Sequence, residues 1–158
     1  MNPSTILTWV GLTIALIVVR FLLDLELAPR SVKYFYWIPV RTVVRDKPLD
    51  LNGVWQQQWQ GATTSFQDSI DRFSSARIRQ LWRYCYVEFA VAGTDYVLFG
   101  QIRGDYLIGT WVNATDDLGY FGSCQLEIVD SRTLKGRWIG HSKTSREIKH
   151  GDWDWNRA

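Results

Sequence analysis

Three times the chain repeats one five-residue pattern: Leu51-Asn-Gly-Val-Trp55, Leu107-Ile-Gly-Thr-Trp111 and Leu134-Lys-Gly-Arg-Trp138. In an extended strand side chains alternate between faces, so the leucine, glycine and tryptophan of each repeat point the same way. A glycine between two bulky groups leaves room for a tryptophan of the neighbouring strand, and such large/small alternation suits the inside of a small barrel. Tyr120-Phe-Gly-Ser-Cys-Gln-Leu-Glu-Ile128 alternates as well. Gly122, Cys124, Leu126 and Ile128 fall on one face, and Ser123, Gln125 and Glu127 on the other.

Turn signals such as Ala92-Gly-Thr, Arg103-Gly-Asp and Asp130-Ser-Arg cut this region into eight segments. They lie near 51–60, 76–82, 84–91, 95–103, 106–113, 119–129, 133–141 and 146–155. The expectation for residues 49–158 is an all-β domain: a small antiparallel barrel of about eight strands, lipocalin-like in appearance. Eight strands close around their own side chains or one small ligand, and closure removes exposed edges. Residues 61–75 are polar and rich in Ser and Thr, which predicts a long loop at a mouth of the barrel.

The chain begins differently. No ionisable side chain occurs from Met1 to Val19, and residues 5–23 are apolar over a length that spans a bilayer core. They predict a single transmembrane α-helix within an anchor of residues 1–24. The charges follow the apolar stretch and no Ala-x-Ala site appears, so a retained anchor is expected over a cleaved signal peptide. Thr8, Gly11 and Ala15 offer small or hydroxylated surface for helix packing. Arg20 lies one turn from Asp24 and can snorkel to the headgroups. Six of the 18 Lys and Arg lie before residue 49, Arg20 near the end of the apolar stretch and five after it, against three of the 16 acids. The positive-inside rule then puts Met1 outside and the barrel in the cytoplasm, as a single-pass protein of the cell inner membrane. There Cys85 and Cys124 need not pair and the sequon Asn113-Ala-Thr115 goes unused. Residues 25–48 form a juxtamembrane connector, with Tyr34-Phe-Tyr-Trp37 as interfacial aromatics and Arg41, Arg45 and Lys47 facing lipid headgroups.

The net charge of +2 comes from this N-terminal third and leaves a slightly acidic body, which excludes a binder of long DNA or RNA. His141 and His150 have no second ligand at metal-binding spacing, and Asp116-Asp117 and Asp152-x-Asp154 are ordinary solvated carboxylates. No phosphate-cradling glycine loop and no nucleophile elbow is present. The expectation is a binding module and not an enzyme, with no catalytic residue, metal or cofactor. What remains is a concentration of Arg77, Arg79, Trp82, Arg83, Tyr84 and Tyr86, with Arg72 before it and Arg103 and Arg137 farther along. Flat rings stack on nucleobases and guanidinium groups hold phosphates. Read as extended chain, Arg77, Arg79 and Arg83 share a face, and Ile78, Trp82, Tyr84 and Tyr86 share the other. A phosphate-facing row then lies beside a stacking row. The plainer alternative puts the arginines on the barrel's outside and the rings in its core.

An N-terminal membrane anchor followed by a cytoplasmic barrel opening on Asp50-Leu-Asn-Gly-Val-Trp55, with Gly53 and Trp55 as the quotable motif, resembles a known family. These are the minimal β-barrel transmembrane effectors of bacterial cyclic-oligonucleotide (CBASS-type) antiphage defence. The resemblance implies a barrel that binds a cyclic oligonucleotide second messenger made after phage infection. It also implies self-association into a homo-oligomer and disruption of the bilayer, so that the infected cell dies. This chain shows one predicted span where two are usual in that family, and no ligand residue carries over. A different function for the same fold is a membrane-tethered, lipocalin-like module that holds an apolar ligand or a partner protein and has no part in immunity. Inward arginines favour the first function and an apolar lumen the second.

Overall fold

The computed structural model describes residues 13–14, 27–39, 48–60, 72–116, 120–141 and 146–158. The predicted span 5–23, with Thr8, Gly11, Ala15 and Arg20, lies outside them except for Thr13 and Ile14. Among the described residues no helix is long and apolar enough to cross a membrane. The chain divides into two compact units, residues Met1–Ser31 and Val32–Ala158. One helix not expected from the sequence, α1 (Leu27–Phe35), begins in the first unit and ends in the second.

The second unit is an all-β closed barrel. Its strands are β1 (Gly53–Trp59), β2 (Phe73–Leu81), β3 (Tyr84–Val91), β4 (Thr94–Arg103), β5 (Tyr106–Asn113), β6 (Phe121–Ile128), β7 (Thr133–His141) and β8 (Ile148–Arg157). Each pairs antiparallel with the next, and β8 returns to β1 through pairs such as Gln57↔Trp155, so the described sheet has no free edge. The expected strands recur within a few residues. The largest difference is β2, which starts at Phe73 inside the expected 61–75 loop; residues 61–71 of that loop lie outside the described residues. The β3–β4 hairpin turns on Ala92 and Gly93, both at positive φ (46° and 77°), the turn whose twist matches paired strands.

The three repeats sit in β1, β5 and β7, and all three leucines are fully buried. Their glycines do something other than make room for a tryptophan. A Cβ on Gly109 would lie 2.7 Å from the Phe99 carbonyl oxygen and 2.9 Å from Gly100 Cα, and one on Gly136 would strike the Gln125 carbonyl and Leu126 Cα. These glycines let neighbouring backbones approach. The room for a tryptophan comes instead from Gly122 and Gly140, which are cross-strand partners of each other. The outer ring of Trp111 lies 2.6 Å from the Cβ position of each.

The barrel is filled at one end. Leu51, Trp55, Leu98, Leu107, Leu126, Leu134 and Trp155 have no exposed surface. The floor is closed by polar groups that satisfy each other. The Leu51 N–H donates to Gln80 Oε1 (2.7 Å), Gln80 Nε2 donates to the carbonyls of Leu49 (3.0 Å) and Trp82 (2.7 Å), and Trp55 Nε1 donates to the Leu51 carbonyl (2.8 Å). Arg157 lies over the Trp55 ring and donates to the carbonyls of Asp50, Asn52 and Ser131. Gln80 is 3% exposed, a buried amide that is tolerated because it is hydrogen-bonded.

Candidate functional site

At the opposite end, where β1, β3, β5 and β7 finish, inward side chains alternate at positions that carry rings. Trp59 comes from β1, Phe89 and Val91 from β3, Tyr96 from β4 and Trp111 from β5. Tyr120 precedes β6, and Trp138 and Trp153 come from β7 and β8. Together they line a cavity of about 70 Å³. None of these lining residues is charged.

The rings hold one another. Phe89 stacks on Tyr96 (centroids 5.5 Å, 17°) and meets the edge of Trp153 (5.7 Å, 65°). Trp111 stands among Tyr96 (5.9 Å), Tyr120 (5.4 Å) and Trp138 (6.5 Å). Offset and edge-on contacts at these separations are the favourable aromatic geometries, so the rings brace one another. Below it, buried Gln57 accepts from Trp153 Nε1 (3.1 Å) and donates to Ser74 Oγ, which fixes the Trp153 ring. Trp138 Nε1 donates to the Gln60 carbonyl (3.3 Å). Burial, together with the nearby Tyr120, pushes the Tyr96 phenol up, and burial alone pushes Tyr120 up, so both stay protonated beyond the ordinary tyrosine range.

The arginine and aromatic residues expected to form a site are not in this cup. The β2–β3 hairpin turns at Trp82, which has a positive φ of 55°, and Arg83. The turn shifts the alternation: Ile78 points inward, as do Cys85 and Val87, whereas Tyr84 and Tyr86 point outward. Arg79 is paired with Tyr86 across the strands, and Arg77 with Glu88, so rings and arginines share the outer face and do not occupy opposite faces. Arg77 is exposed, and the Arg83 guanidinium lies 5.0 Å from the Trp82 ring. Arg103 stands by the sealed end, bonded to Gln101 Oε1 (3.1 Å), and Arg137 pairs with Asp152 (3.1 Å) on the surface.

Tyr86 is outward yet only 6% exposed, because side chains from the end of α1 cover it. Lys33 Nζ lies 2.8 Å from Glu88 Oε1 and Arg79 Nη1 2.6 Å from Glu88 Oε2, and the Tyr86 hydroxyl donates to Glu88 Oε1 (3.2 Å). Burial alone would raise the Glu88 carboxyl, but the hydrogen bonds from Lys33 and Arg79 outweigh it and hold the group below the ordinary glutamate value. Arg79 and Tyr86, with Glu88, therefore hold the end of α1 on the barrel.

Sequence reasoning missed most of the cup. Trp111 and Trp138 carried a signal, as repeat tryptophans near the ends of β5 and β7. Trp55 holds the same repeat position but lies at the sealed end, because β1 begins three residues later in its repeat than β5 or β7 does. No family model, no curated protein and no solved structure matches the chain. Among the described residues no group of His, Cys, Asp and Glu could hold a metal ion.

Proposed function

We propose that this protein is a membrane-anchored receptor and antiviral effector whose barrel takes a nucleobase of a cyclic oligonucleotide in the aromatic cup. Ligand-driven self-association then concentrates helices 5–23 in the inner membrane and disrupts it. The observation that carries the reading is an aromatic cup above a packed lumen. The cavity of about 70 Å³ lies open between these rings, where the face of one base can stack. An acyl chain would need the space beneath, which Trp55, Trp155 and the buried leucines fill. Bases stack on aromatic side chains whatever their sequence, at about 1–3 kcal/mol each. The anchor and its orientation rest on the uncharged N-terminal stretch and the cations after it. Assembly requires the ligand to bind the associated state more tightly than the single chain, since equal affinity shifts nothing.

The test is calorimetric titration of the full chain in detergent micelles with cyclic di- and trinucleotides and cyclic tetra-adenylate, followed by sizing with and without ligand. Micromolar or tighter binding of one of them, with growth in mass, is the expected result. Binding of a fatty acid but of no cyclic nucleotide would overturn it.

One observation favours the second function, a tethered scaffold for a partner protein. On the outside of β5 to β8, Val112 is the cross-strand partner of Phe121 and His141 that of Ile148, the Phe121 and His141 rings meet edge-on (4.0 Å), and Ile139 lies beside them. Four of these five are exposed apolar side chains, Ile148 to 71%. Saturable capture of a single membrane or cytoplasmic protein by this face, abolished by Phe121→Lys, would support that function.

A further inference from the structure

The cup's lining is apolar apart from its phenol hydroxyls and indole N–H groups, and most of the N–H groups are committed or enclosed. Those of Trp138 and Trp153 donate to Gln60 and Gln57. That of Trp111, a residue 5% exposed, is buried with no acceptor among the described residues. Trp155 has a second such N–H, but it is wholly enclosed in the core and does not line the cup. Tyr96 and Tyr120 are the half-buried rings of the lining, and each carries a hydroxyl at the end of an otherwise apolar ring.

Their positions are fixed by backbone. Tyr96 is cross-strand partner to Asn113, and the Asn113 N–H donates to the Tyr120 carbonyl (3.0 Å), so the two tyrosines flank Trp111 on either side. Ring contacts with Phe89 and Trp111 then hold their bodies. A phenol hydroxyl both donates and accepts. Two of them beside a flat apolar wall match a ligand whose face is apolar and whose edge carries hydrogen-bonding atoms. With no charged lining residue, an ionised ring would enter unpaired, at a desolvation cost.

Resting on the receptor function above, we propose that Tyr96 and Tyr120 are the specificity-determining residues of the cup, reading the hydrogen-bonding edge of a neutral planar heteroaromatic ring whose face lies against the tryptophans. Burial keeps both phenols protonated through pH 8, so each can donate as well as accept.

Two probes of one shape separate edge from face: benzimidazole, with a nitrogen edge, and indene, with none. Binding of each to the full chain in detergent micelles at pH 8 is read from intrinsic tryptophan fluorescence. Tyr96→Phe and Tyr120→Phe keep both ring bodies, and indene binding reports that the cup is intact in each. Each substitution is expected to weaken benzimidazole about tenfold, which is 1.4 kcal/mol, and to leave indene within about twofold. Equal loss for both probes, no loss for either, or no binding of benzimidazole to the unsubstituted chain overturns the assignment. The two proposals fail separately. If benzimidazole shows the pattern and no cyclic oligonucleotide binds, the tyrosines keep their role and the second-messenger function falls. If a cyclic oligonucleotide binds and the substitutions are silent, the reverse holds.

Discussion

Gly136 lacks a side chain because the neighbouring strand already occupies the place. An added Cβ meets the Gln125 carbonyl oxygen and lies 2.7 Å from Leu126 Cα, both backbone atoms that move only if the ladder moves. Gly136→Ala is therefore expected to lower stability by about 1–3 kcal/mol, the range for overpacking, measured by chemical denaturation of the full chain. The cysteines give a second residue-scale prediction. Burial pushes the Cys124 thiol up to about 12, and burial followed by the nearby Asp50 pushes Cys85 higher still. Because the thiolate is the reactive form, both should resist iodoacetamide at pH 8 in the folded protein and react once it is denatured. Fast labelling of either in the native state would show that the barrel opens there. At this scale the sequence told which residues of one strand share a face, since period-2 alternation is local. It did not tell what each glycine accommodates, because Gly109 meets Gly100, and Gly136 meets Leu126, only after strands pair.

Single turns decide more than single residues. Extending the alternation of β2 through Trp82 put Tyr84 and Tyr86 in the core, and the two-residue hairpin at Trp82 and Arg83 put them outside. A one-residue error in a turn flips every later side chain, which is why the arginine and tyrosine rows were legible as rows but not as faces. Once outside, Arg79 and Tyr86 meet the end of α1. Lys33, Arg79 and the Tyr86 hydroxyl converge on Glu88, and Val32 is 2% exposed. Glu88→Gln is expected to lower stability by about 1 kcal/mol or less, since the carboxylate is partly solvated, and to speed amide exchange at Val32 to Phe35. Glu88 is held below its ordinary 4.5, so its contribution is whole at neutral pH and is lost as pH falls through the lowered value. Lys33, raised above 10.5 chiefly by its hydrogen bond to Glu88, loses its share only as pH rises through that raised value. The gap between the parent chain and Glu88→Gln should thus be flat from pH 6 to 9 and shrink below about pH 4. A gap unchanged at pH 3 would mean that Glu88 acts by packing and not by charge.

Closure of the whole molecule was the most legible property, because eight alternating segments with short turns have one economical arrangement that leaves no edge. The cup was not, because it depends on how far along the barrel each tryptophan falls. Trp55 and Trp155 pack the lumen while Trp59, Trp111, Trp138 and Trp153 ring the mouth, and nothing local to any of them distinguishes the two groups. On the proposed function, that placement puts the ligand in the cup. Arg77 is outside the barrel opposite Glu88, and Arg103 is by the sealed end, so neither can reach a ring in the cup. Arg77→Ala and Arg103→Ala should each leave the affinity for a cyclic oligonucleotide within about twofold. Phe89→Leu keeps an apolar side chain but removes the face that stacks on Tyr96 and braces Trp153. It should weaken binding tenfold or more, at the about 1–3 kcal/mol that base stacking contributes. Thermal melting of the full chain reads all three variants. Ligand at a hundredfold excess over Kd stabilises the parent by about 2.7 kcal/mol, and the same ligand concentration should stabilise both arginine variants equally and Phe89→Leu by at least 1 kcal/mol less. The opposite pattern, with loss in the arginine variants and none in Phe89→Leu, would move the ligand from the cup to the barrel's outer face.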